Sequence, residues 1–136
     1  GSGSYAYAIN ERGQVVGEST PANTDDSGLS VHAFLWEDGK MRDLGTLGGT
    51  HSVAFGINDE GVVVGRSSTK DGRWHAFVWK DGAMTDLQAG SPKEITGMAV
   101  AINGRGQIVG SITDTSKPCT ARCEMHGVLW APKKEG

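Results

Sequence analysis

Ala54-Phe55-Gly56-Ile57-Asn58, followed by Gly61 and by Val62-Val63-Val64-Gly65, has two counterparts in the same chain. They are Ala6-Tyr7-Ala8-Ile9-Asn10 with Gly13 and Gln14-Val15-Val16-Gly17, and Ala99-Val100-Ala101-Ile102-Asn103 with Gly106 and Gln107-Ile108-Val109-Gly110. A second block recurs as His32-Ala33-Phe34-Leu35-Trp36, His75-Ala76-Phe77-Val78-Trp79 and His126-Gly127-Val128-Leu129-Trp130. Its first two copies continue through Asp38-Gly39 or Asp81-Gly82 into Met41-Arg42-Asp43-Leu44 or Met84-Thr85-Asp86-Leu87. Repetition of this kind means that each unit is one supersecondary element stacked on its neighbours.

Each block predicts a hairpin. Short β-branched and aromatic runs flank Asn-x-x-Gly or Asp-Gly, residues that tolerate the left-handed backbone of tight turns. Four strands per unit follow, and no amphipathic run of helical length interrupts them. The expected class is all-β, in units of about residues 5–49, 50–94 and 95–136 within a single domain, 5–136. Gly1-Ser2-Gly3-Ser4 reads as an expression scar, with no signal peptide before the repeats. In the second block the tryptophans are expected in the core. Copy three departs from the pattern at Ala131-Pro132-Lys133-Lys134-Glu135, where the turn and the fourth strand should be.

The phrases Ile-Asn-x-x-Gly-Gln-Val-Val-Gly, His-Ala-Phe-Leu-Trp and Asp43-Leu44-Gly45-Thr46-Leu47-Gly48-Gly49 resemble the bacterial HAF repeat, a probable extracellular repeat family. The resemblance runs from residue 5 nearly to the end of the chain. It implies a β-propeller-like array, export to the medium or the cell surface, and no catalytic residue or cofactor. Three blades fall short of the four to eight of known rings, so the chain is expected to form a homo-oligomer or to be part of a longer array. A β-trefoil is the competing architecture, since three four-stranded units in this length also suit a closed barrel.

Composition narrows the partners. The chain has 136 residues, with 13 Lys and Arg against 16 Asp and Glu, a formal charge of −3. It has no basic stripe for a phosphate backbone and no apolar run of about 20 residues for a bilayer. Neither nucleic acid nor a membrane span is expected.

Candidate chemistry is sparse. Trp74 has no aromatic counterpart in the other copies. With Arg73 beside it, it could stack on a sugar ring or on a protein surface, and His51 is likewise unmatched at its aligned position, Thr96. Cys119 and Cys123 suggest a local disulfide, with free thiols and a Cys-x3-Cys-x2-His metal half-site through His126 left open. Repeated His32, His75 and His126 are expected to play a structural role, such as bonding a neighbouring carbonyl, rather than to bind a metal, and repeated Asp43 and Asp86 to bond local backbone. Asn23-Thr24-Asp25-Asp26-Ser27-Gly28 reads as a solvated turn, not a calcium loop. Ser52, Ser67 and Ser68 have no nucleophile context. The function expected is a non-enzymatic binding and assembly module, displaying loops at 18–31, 66–74 and 111–125 to a carbohydrate or protein ligand. The alternative is a metal-dependent or hydrolytic unit assembled on oligomerisation around His51, Asp25 or the cysteine loop.

Overall fold

A computed structural model describes residues 3–20, 30–92, 95–115 and 125–131. Cys119, Cys123 and the 23–28 turn with Asp25 lie outside them.

The described chain is all-β. The first sheet is a meander of β1 (Ser4–Ile9), β2 (Val15–Ser19), β3 (His32–Glu37) and β4 (Lys40–Gly45). The second repeats it with β5 (Gly48–Ile57), β6 (Val63–Thr69), β7 (Trp74–Lys80) and β8 (Ala83–Asp86). The third comprises β9 (Ile95–Ile102), β10 (Ile108–Asp114) and β11 (Met125–Trp130), in spatial order β11-β10-β9. All pairings within the sheets are antiparallel. The described strands form neither a closed barrel nor a closed ring.

Turn chemistry explains the hairpins. The Asn58 side-chain oxygen accepts the Glu60 and Val62 N–H groups, while Gly61 takes a positive φ of 82° and returns its own N–H to the Asn58 carbonyl. Asn10 and Asn103 do the same in their sheets. At the other hairpins, Asp38-Gly39 and Asp81-Gly82 have positive φ at both central residues, the twist that a two-residue connection requires.

A bulge recurs in the first strand of every sheet. The register slips between Ala6 and Ala8, between Ala54 and Gly56, and between Ala99 and Ala101, which leaves Tyr7, Phe55 and Val100 as the extra residues. The slip presses a carbonyl against the neighbouring strand. A side chain on Gly17, Gly65 or Gly110 would overlap the carbonyl of Tyr5, Val53 or Met98. The glycine that closes each Val-Val-Gly or Ile-Val-Gly phrase is therefore a steric requirement.

The sheets stack in series. β5 lies across β1, β2 and β3, and β9 lies across β5, β6 and β7. The rear face of the first sheet (Val16, Ala33, Leu35) packs on the front face of the second (Ala54, Ile57, Val63, Phe77, Trp79). The rear face of the second (Val64, Ala76, Val78) likewise packs on Ala99, Ile102, Ile108 and Trp130 of the third. Polar groups join the same seams. Asn10 Nδ2 donates to the Asn58 carbonyl at 2.9 Å, and Asn58 Nδ2 to the Asn103 carbonyl at 3.1 Å. Ser52 of the second sheet accepts the Ala33 N–H and donates to the Gly45 carbonyl. Gln88 accepts the Ala76 N–H at the equivalent place in the second sheet.

Two expectations change. Trp79 is buried, but Trp36 at the equivalent position is 38 % exposed, because no described sheet covers the front of the first. The 66–74 connection is shorter than its composition suggests. Ser67 and Ser68 pair with His75 and Trp74, so only Lys70–Arg73 is loop.

Candidate functional site

Gly48 and Gly49 bring the chain out of the first sheet into β5, whose first half edges the 69–74 turn of the β6–β7 hairpin. Close approach is built in, since a Cβ on Gly49 would overlap Ser68 Oγ and the Thr69 carbonyl. Ser68 Oγ in turn accepts the His51 N–H at 3.0 Å and donates to the His51 carbonyl. Thr69 and Gly72 close the turn, with Gly72 at φ 80°.

A cleft of about 290 Å³ results, lined chiefly by Thr50, His51, Ser68, Thr69, Lys70 and Trp74. His51 meets the Trp74 ring edge-on at 6.4 Å between centroids, and its Nδ1 lies 2.7 Å from Thr50 Oγ1. The Arg66 guanidinium sits 4.3 Å from the Trp74 ring centroid, within cation–π range. Hydroxyls, an imidazole, an ammonium and an indole thus converge on one opening.

Two of the three sequence candidates, His51 and Trp74, are brought together here. Arg73 is not part of the lining. Its guanidinium donates to Asp71 and to the Pro92 carbonyl. Lys70 and Arg66 were not singled out by the sequence, because what places them is the pairing of β6 with β7, and no motif marks that.

The repeat histidines sit one per sheet. His32 Nδ1 lies 2.9 Å from Asp43 Oδ2, and His75 Nδ1 lies 2.8 Å from Asp86 Oδ2. For His32 and His75 the structural partner is thus a carboxylate on the adjacent strand, and an ionised carboxylate fixes Nδ1 as the donor. The same aspartates also accept the Gly45 and Gln88 N–H groups, which is the local backbone role expected of them. Among the described residues no group of three His, Cys, Asp or Glu side chains could hold a metal, and no helix is long and apolar enough to cross a membrane.

Comparison of the chain with protein-family models, curated proteins and solved structures returns no match.

Proposed function

We propose that this chain is a HAF-type, β-propeller-like repeat segment, exported by a bacterium, and that it works as a carbohydrate-binding module. Support for the blade reading comes from the four-stranded meanders stacked in series through their first strands, the arrangement that propeller blades use. The binding reading is carried by a single observation. His51 and Trp74, two residues without counterparts at their aligned positions in the repeats, line one cleft together with Lys70. An indole with hydroxyl, imidazole and ammonium groups around it suits a sugar ring, which offers an apolar face and a rim of hydroxyls.

Titration calorimetry with a panel of neutral and uronic-acid oligosaccharides tests this reading. At least one sugar is expected to bind saturably, with Trp74→Ala and His51→Ala each weakening it about tenfold or more and Trp36→Ala leaving it unchanged. Binding that survives Trp74→Ala, or a panel with no binder, would remove the cleft from consideration.

A further inference from the structure

Phe34 and Phe77 are buried alike, but several other equivalent residues differ in exposure with the neighbour they have. Ile57 in the second sheet is 9 % exposed, whereas Ile9 at the same place in the first is 68 % exposed. Leu35 on the rear of the first sheet is 6 % exposed, and its counterpart Leu129 on the rear of the third is 60 %. Val16 and Val64 are fully buried at rear positions, whereas the matching Val109 is exposed. Each end of the stack thus presents apolar side chains that the internal seams bury. Repeat arrays that end in solvent normally carry a polar outer face, and neither of these ends does.

The asparagine ladder is open in the same sense. Asn10 Nδ2 donates both to Gln14 and to the next sheet's asparagine carbonyl. Asn103 Nδ2 donates to Gln107 and reaches no inter-sheet acceptor among the described residues. At the opposite end, the Asn10 carbonyl accepts the Gly13 N–H and, among the described residues, no donor from another sheet. Beside the asparagine ladder, the turns of the first seam carry one bond more, from the Glu11 N–H to the Asp59 carboxylate at 2.9 Å. The second seam has Gly104 at the acceptor position and so no carboxylate there, whereas at a junction of the third sheet with a following first sheet Gly104 would supply the N–H and Glu11 the carboxylate. Packing repeats the point. A Cβ on Gly61 would touch the Gln14 amide of the preceding sheet, while the space beside Gly13 is open.

We propose that the rear of the third sheet binds the front of the first sheet of a second copy of this chain, head to tail, with Asn103 Nδ2 donating to the Asn10 carbonyl of that copy. The occupant follows from the seams already present. The front face that fits behind a sheet of this repeat is another front face of the same repeat, and in this chain the uncovered one belongs to the first sheet. Ile9 then joins Val109 and Leu129 in one apolar cluster, as Ile57 shares a cluster with Val16 and Leu35. Such a contact joins two different patches, so it generates a ring or a chain of copies according to the rotation at each step. Two copies would contribute six sheets, within the four to eight that close known propellers. This inference does not depend on the carbohydrate reading.

Light scattering coupled to size exclusion, over a range of concentrations, tests it with two surface variants. Ile9→Asp blocks the front and Leu129→Asp the rear, and both side chains are exposed, so urea unfolding of each should match the unaltered chain when all are measured at concentrations too dilute for assembly. The unaltered chain is expected to assemble into species of two or more copies, each variant alone to stay at the mass of one chain, and the two variants mixed to form a pair through the one intact junction. Asn103→Asp keeps the turn acceptor and removes the amide donor, so it should weaken assembly about tenfold. A single-chain mass for the unaltered protein at every concentration would overturn the proposal. So would assembly that either surface variant leaves intact, a mixture that does not pair, or assembly indifferent to Asn103→Asp.

Discussion

Gly65→Ala lowers the unfolding free energy by about 3 kcal/mol or more, at or beyond the upper end of ordinary overpacking costs. The argument is steric. Backbone freedom is not at issue, because Gly65 does not occupy the left-handed region. The added methyl falls on the Val53 carbonyl and crowds the Ala54 Cα, both of them backbone of the paired strand β5. A flexible side chain could move aside, but a backbone held in register cannot move without breaking the ladder. Ala54, fully buried against the first sheet, would have to shift as well. Gly72→Ala is the comparison, since its cost is confined to the left-handed turn with nothing within 4 Å of the new methyl. Urea denaturation of both variants checks the difference. A Gly65→Ala protein within about 1 kcal/mol of the parent would mean that the bulge and its close contact do not form as described.

Phe77→Ala is the second large effect, expected at about 3–5 kcal/mol, the usual range for emptying a buried phenylalanine site. Phe77 is fully buried in the middle strand of the seam between the first two sheets, packed in one cluster with Val16, Leu35, Ala54 and Trp79. Truncation loses the ring's own burial and leaves a gap that two hydrogen-bonded sheets cannot readily close around. Trp36→Ala, at a partly exposed position, should cost far less. The melting temperature of each variant, measured in dilute solution, separates the two cases, and comparable losses would argue against the seam.

The sequence carried much of this fold, and the reason lies in its repeats. Asn58 and Gly61, or Asp81 and Gly82, specify turns through contacts within four residues, so local reading suffices for the hairpins and for the all-β class. The seams were less legible. Trp36 and Trp79 stand in the same phrase, yet one is half exposed and the other buried, because burial here is decided by the neighbouring sheet rather than by the strand's own residues. Ser52 and Gln88 cap equivalent backbone N–H groups from different chain positions and with different side chains, an equivalence that no motif records. His75 found Asp86 because antiparallel pairing of β7 with β8 sets them side by side. At the cleft, His51 and Trp74 were visible as breaks in the repeat. Their meeting depends on where β5 starts along β6.

The three sheets are expected to behave as one cooperative stack, and hydrogen exchange followed by NMR tests this most directly. The Ala33 N–H is bonded to Ser52 Oγ and the Ala76 N–H to Gln88 Oε1, while the Leu47 N–H, leaving the first sheet, is bonded to Ser67 Oγ of the second. Ala33 and Leu47 can exchange freely only when the first and second sheets separate. Their protection is expected to match that of Val64, fully buried in the centre of the second sheet, and to disappear with it in one transition as urea is added. Exchange at Ala33 and Leu47 as fast as at the exposed Gly72 turn, with Val64 still protected, would mean that the sheets open independently and would contradict the stacked array.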